Sequence, residues 1–147
     1  VKKEEQITTK TIEQHIGISK DYNIFELQNA LGNKNVKKSN QIINFFSANT
    51  KNHHIVPVLS SLFSFFQKVM IYHFLKDKSL KSVANNLKIN PFFVSQYQTA
   101  ARNYNKKQLF FIFKNLKEYD LRSKGINNRS TDQRGLLKEL IFKILHS

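Results

Sequence analysis

Between residues 90 and 125 the chain reads NPFFVSQYQTAARNYNKKQLFFIFKNLKEYDLRSKG, and its apolar side chains recur at helical spacing through two successive segments. Phe93, Tyr97, Ala100 and Tyr104 share one face of the first segment. In the second, residues 106–123, Leu109, Ile112, Phe113, Leu116 and Tyr119 fall on one side. A period near 3.6 sustained over this length fits helices and not half-buried strands, whose side chains alternate at every second residue. The rest of the chain agrees. Four Gly and two Pro are few for 147 residues built of hairpins, and no alternation runs long enough for a strand. Hydrophobic residues make up 40%, enough for a core, so the expected class is all-α.

Start and stop signals divide the helices. Residues 9–15 read as a short helix stopped by Gly17. Asn23 opens a second helix, with Glu26 in a capping-box position and Phe25, Leu27, Ala30 and Leu31 as its apolar side, before Gly32 ends it. A third runs over about residues 34–48, with Val36, Ile42, Ile43, Phe45 and Phe46 as contacts. Residues 49–52, Asn-Thr-Lys-Asn, hold no apolar side chain and form the linker candidate. A long helix near residues 55–76 follows, with Pro57 in its first turn, where a missing N–H costs nothing. Its apolar residues fall nearly all round the cylinder, as in the central helix of a bundle. Ser79 caps a helix bearing Leu80, Val83, Ala84 and Leu87, and Asn90-Pro91 marks a fresh start. From about Gln133, Leu137, Leu140, Ile141 and Ile144 give a last helix at i, i+3, i+4, i+7 spacing.

The apolar run at 55–75 is also the one membrane candidate in the sequence. Gln67, Lys68, His73 and three serines interrupt it, so a buried core helix is the expectation. The chain begins at Val1 without a signal peptide and reads as part of something longer. It has no Cys, hence no disulfide and no thiolate metal site, in keeping with a reducing compartment.

Charge points to a partner class. The formal net charge is +14, and it is uneven: residues 1–51 hold eight basic and five acidic side chains, residues 52–147 sixteen and five. An excess of that size attracts polyanions, nucleic acid above all, although a merely solvated basic surface has the same composition. Catalytic signals are missing. No phosphate-cradling GxxxxGK[ST], HExxH or GxSxG occurs, so no enzyme activity, metal or cofactor is expected. His53 and His54 are adjacent, their side chains diverge, and no third ligand lies nearby in sequence. Glu118 and Asp120 lie about 200° apart on a helix and are expected to balance Lys117, Arg122 and Lys124 rather than to form a catalytic pair.

Two segments carry binding features. Residues 81–104 have helix-turn-helix spacing, with Ala84 in the first helix and Val94 as the inward anchor of the second. Base reading needs cations or amides early in that second helix, whereas this one opens on Pro91, Phe92 and Phe93, with Arg102 coming late. On 106–123, Lys107, Lys114 and Lys117 lie opposite the core stripe with Phe110 and Phe111 on either side. Exposed rings there would mark an interface; neighbouring helices of the same bundle would cover them equally well. Arg122, Lys124, Arg129 and Arg134 surround a loop with Gly125, Asn127 and Asn128, suited to phosphate contact or simply to solvent.

Taken together, IGISKDYNIFELQNAL at 16–31, INPFFVSQYQTAARNY at 89–104, EYDLRSKG at 118–125 and LLKELIFKIL at 136–145 resemble the delta subunits of bacterial DNA polymerase III, components of the clamp loader. The specificity lies in their combination and order, and the likeness covers the C-terminal part of such a subunit. It implies a small helical lid remnant at 1–50 of AAA+ type, followed at 53–147 by a helical-bundle collar domain of the oligomerising kind. It further implies a role in DNA replication in the cytoplasmic replisome, through collar assembly with other loader subunits and positioning of primer–template or single-stranded DNA. The sliding clamp would be met only through an N-terminal domain outside this chain, and nucleotidyl transfer would belong to the polymerase holoenzyme by association. Carried onto this sequence, DNA-contact candidates are Phe92, Phe93, Arg122, Lys124 and Arg129, and subunit-interface candidates are Lys107, Phe110, Phe111 and Lys114. The competing readings are a helix-turn-helix DNA-binding protein, using 81–104, and a helical scaffold that binds no nucleic acid.

Overall fold

Every regular element among the described residues, 22–125 and 132–147 of a computed structural model, is helical. In chain order these are α1 (Ile24–Gly32), α2 (Val36–Ala48), α3 (Ile55–Phe74), α4 (Leu80–Leu87), a single 3-10 turn at Pro91–Phe93, α5 (Val94–Asn103), α6 (Lys106–Ser123) and α7 (Gln133–Leu145). The helix expected at 9–15 with its Gly17 stop, and the loop carrying Asn127, Asn128 and Arg129, lie outside the described residues.

Local signals set the helix starts. The Asn23 side chain accepts from Glu26 N at 2.9 Å while the Glu26 carboxylate accepts from Asn23 N at 3.4 Å, the reciprocal pairing of a capping box. A second box, not anticipated, joins Asn105 and Gln108, with both bonds at 2.8 Å. Ser79 caps α4 as expected, and its own N–H is held by Asp77 Oδ1 at 2.9 Å. The Ser79 backbone N–H, and then its side chain, hold the Asp77 carboxyl below its ordinary value. Lys88 ends α4 at φ 56°, a left-handed conformation that costs an L-residue but not glycine. Lys88→Gly is therefore expected to raise stability by about 0.5–1 kcal/mol, read as an upward shift of the urea midpoint with unchanged slope.

One core joins the whole described chain. Neighbouring helices close a cycle, α1 to α2, α2 to α7, α7 to α6, α6 to α3, α3 to α5 and α5 back to α1, with α4 packed against α3 and α5. Thus α1 and α2, which precede the 49–52 segment, pack on the last helix and share the core of everything after it. Val58, Leu59, Leu62, Phe65, Phe66 and Val69 of α3 are buried. Its all-round apolar character has a different meaning from that expected, since Val56, Phe63, Ile71 and Phe74 are exposed. With a mean hydropathy of 1.5 over an 18-residue window, the 20-residue α3 is long and apolar enough to cross a membrane, but its inner face is part of the shared core.

Gly32 ends α1 as expected, without itself turning left-handed. It is the last residue of α1, and the positive φ falls at Lys34, φ 50°. A Cβ on Gly32 would sit 3.2 Å from Ala100 Cβ and 3.2 Å from Phe65 Cζ, so glycine lets α1 approach α5 and α3. The same junction is tied by polar bonds. Tyr104 Oη donates to Leu31 O at 2.6 Å, and Asn103 Nδ2 donates to Gly32 O at 2.8 Å. The His73 ring nitrogen Nε2 bonds Tyr104 O at 2.7 Å, which brings in the end of α3.

Candidate nucleic-acid and subunit interfaces

The Asn90-Pro91 start places two phenyl rings in solvent. Asn90 Oδ1 accepts from Phe92 N at 2.9 Å, Pro91 takes the first helical position, and the chain makes a 3-10 turn before α5. In this tight turn Phe92 is 83% exposed and Phe93 48%, their rings edge to face at 5.5 Å. Val94 points the other way and is buried, as are Val83, Ala84 and Leu87 of α4. Ala84 and Val94, the inward positions of helix-turn-helix spacing, are thus both buried. The exposed start of the second helix presents rings instead of cations, and Arg102 turns back to Thr99 Oγ1 at 3.2 Å.

Beside Phe93 lies a groove of about 670 Å³ between α1, α3 and α5, lined among others by Phe25, Ser60, Ser64, Lys68 and Gln96. Phe25 was expected on the buried side of its helix and is instead 70% exposed. Its position relative to Leu27, about 200° around the helix, is the signal that would have found it.

On α6 the four interface candidates, Lys107, Phe110, Phe111 and Lys114, are all exposed, so no helix of the described bundle covers these phenylalanines. At 100° per residue, Phe110, Lys114, Lys117 and Leu121 fall within about 60° of arc, one stripe along the outer face. Phe113 was expected inside; it is half-buried and meets exposed Phe63 of α3 with ring centroids 5.5 Å apart and planes tilted by 59°, which carries the apolar surface across to the next helix. Between these helices, Val56, Phe63, Leu116 and Lys117 line a hollow of about 410 Å³.

Arg122 and Lys124 sit at the far end of α6, and neither lines the groove beside Phe93. Arg122 pairs with Glu118 at 3.2 Å and Glu139 at 3.8 Å and lies over the Tyr119 ring at 5.1 Å. Lys124 pairs with Asp120 at 3.1 Å. Glu118 and Asp120 therefore balance Arg122 and Lys124, as their spacing suggested, and part of the local positive potential is neutralised. Exposed ion pairs of this kind contribute at most about 1 kcal/mol, so an incoming phosphate can exchange with the carboxylates. Arg129 lies outside the described residues.

The two adjacent histidines are structural. His53 stacks on Phe46 at 4.1 Å, and His54 Nδ1 accepts from Val56 N at 3.3 Å as the cap of α3. Among the described residues no group of three His, Cys, Asp or Glu side chains could hold a metal ion.

Comparison with known proteins agrees with this architecture. Residues 21–144 match the family model described as the DNA polymerase III delta subunit, C-terminal domain. The chain is 25% identical over 143 residues to the DNA polymerase III subunit delta of Bacillus subtilis (strain 168), an alignment covering 96% of this chain and 40% of that protein. The chain therefore spans well under half the length of that relative. No solved structure matches it.

Proposed function

Since the chain belongs to the DNA polymerase III delta subunit family, through that family's C-terminal domain, we propose that it acts in DNA replication as the assembly portion of a clamp-loader subunit. It holds other loader subunits in a collar and guides primer–template DNA while a sliding clamp is loaded. The observation carrying this reading is the outer face of α6, where Phe110 at 65% and Phe111 at 45% exposure stand among lysines although the described helices already share one core. Rings that the described core leaves in water are stabilised by a partner that covers them. In this reading the unit works in the cytoplasmic replisome by binding, without a reaction of its own. Contact with the sliding clamp belongs to parts of the subunit beyond this chain. In this reading residues 1–50 are the end of a lid and residues 53–147 the collar, with residues 22–48 packed into the same core as the collar helices.

Phe92 and Phe93 supply stacking surface, and Arg122, Lys124 and Arg129 supply cations, the pairing that unstacked single strands require. Single-strand binding is accordingly expected to be indifferent to sequence and sensitive to salt. With about three phosphates neutralised, affinity falls about 20-fold between 50 and 200 mM salt. Phe92→Ala is expected to weaken binding of a labelled 12-nucleotide oligothymidine by fivefold or more, followed by fluorescence anisotropy. Affinity independent of salt, or unchanged in Phe92→Ala, contradicts the reading. The burial of Ala84 and Val94 at helix-turn-helix spacing favours one alternative, duplex recognition. In that case one duplex sequence outcompetes its scrambled version.

A further inference from the structure

The groove beside Phe93 has chemistry that assembly does not use. Phe25 stands 70% exposed on α1 and Phe93 48% exposed on the turn before α5, and both line the same concavity. Between them, the hydroxyls of Ser60 and Ser64 and the amide of Gln96 make no hydrogen bond to any other described residue. Gln28 is tied down by donating to Ser61 O at 3.1 Å. Lys68 is the charged group in the lining; no carboxylate lines the groove, and none pairs with Lys68 among the described residues. Aromatic sides, open donors and acceptors, and a lone cation match a flat heteroaromatic ring attached to a phosphate. They do not match an apolar helix, which would leave the serines and Gln96 unpaired.

We infer that this groove is a base slot: it takes one unstacked nucleobase of a single strand between Phe25 and Phe93, with Lys68 on the adjoining phosphate. The base gives up stacking on its neighbours and gains it on the protein rings, while its edge meets Ser60, Ser64 and Gln96. The slot extends the aromatic turn inward onto α1 and α3, and it depends on the single-strand reading above. A groove about 670 Å³ in volume lies in the range of pockets that bury small ligands.

The test compares a labelled 12-nucleotide oligothymidine with a 12-unit strand of abasic residues, which keeps the phosphates and removes the bases. The wild-type chain is expected to bind the base-bearing strand at least tenfold more tightly. Phe25→Ser is expected to weaken that strand five- to tenfold and leave the abasic strand unchanged, because Phe25 is exposed and its loss touches no phosphate contact. Phe25→Tyr, which retains a ring, keeps the preference and controls for folding. Lys68→Ala weakens both strands alike. If the wild-type chain binds neither strand, the single-strand reading itself fails. If it prefers bases, and Phe92→Ala removes that preference while Phe25→Ser does not, the slot is overturned and the outer turn stands. Equal affinity for the two strands in the wild type overturns the slot as well.

Discussion

Tyr104→Ala is expected to destabilise the chain by about 3–5 kcal/mol, the largest loss of any single truncation considered. The ring is fully buried against Phe66, edge to face at 5.4 Å, and Lys34 Nζ lies over it at 4.7 Å. Truncation leaves a cavity where α1, α3 and α5 meet and removes the Tyr104 hydroxyl's 2.6 Å bond to the Leu31 carbonyl, which keeps the Lys34 N–H at 2.9 Å. Tyr104→Phe isolates the polar part and is expected to cost about 0.5–1.5 kcal/mol, because the Leu31 carbonyl retains the Lys34 N–H. It also changes the pH dependence. Burial raises the Tyr104 hydroxyl well above the ordinary tyrosine value near 10, and Tyr97 is raised for the same reason. For a group whose folded pKa is raised, the stabilisation is complete below the unfolded pKa and declines above it. Stability should therefore fall above pH 10, and Tyr104→Phe should make that alkaline decline shallower while Tyr97 preserves a remainder. Urea titrations at pH 8 and pH 11 check both effects; an equally steep decline in Tyr104→Phe would contradict the assignment.

The second large effect concerns assembly. Phe110→Ser combined with Lys107→Glu and Lys114→Glu is expected to weaken association with partner loader subunits at least about 30-fold, since a buried aromatic at the centre of an interface is worth 2 kcal/mol or more. Stability should stay within about 0.5 kcal/mol of wild type, because all three side chains are exposed. Size-exclusion chromatography with the partner subunits, next to a thermal melt, separates the two outcomes. Wild-type assembly by the triple variant would move the subunit interface off α6.

What the sequence disclosed was local. Asn23 with Glu26, Ser79, and Asn90 before Pro91 declare helix starts within four residues, and each behaves as its chemistry requires. The periodic stripe of α6 separated buried Leu109, Ile112, Leu116 and Tyr119 from exposed Phe110 and Phe111. Closure of the bundle by α2 against α7 was hidden, because it joins residues nearly a hundred positions apart and no local propensity encodes it. The same limit concealed the base slot. Phe25 sits beside buried residues in sequence, and its partners Lys68 and Phe93 come from two other helical segments. Gly32 ends α1 as the sequence suggested, whereas the close approach of Ala100 and Phe65, which also calls for glycine there, had no local signal.

Oxidative footprinting of the phenylalanines in the free chain, in the assembled loader, and in the loader with single-stranded template bears most directly on the division of this surface. Phe110 and Phe111 should lose reactivity when partner subunits bind, before any DNA is added. Phe92 and Phe93 should remain reactive until the template arrives. Phenylalanines that react equally in all three states would contradict both halves of the account.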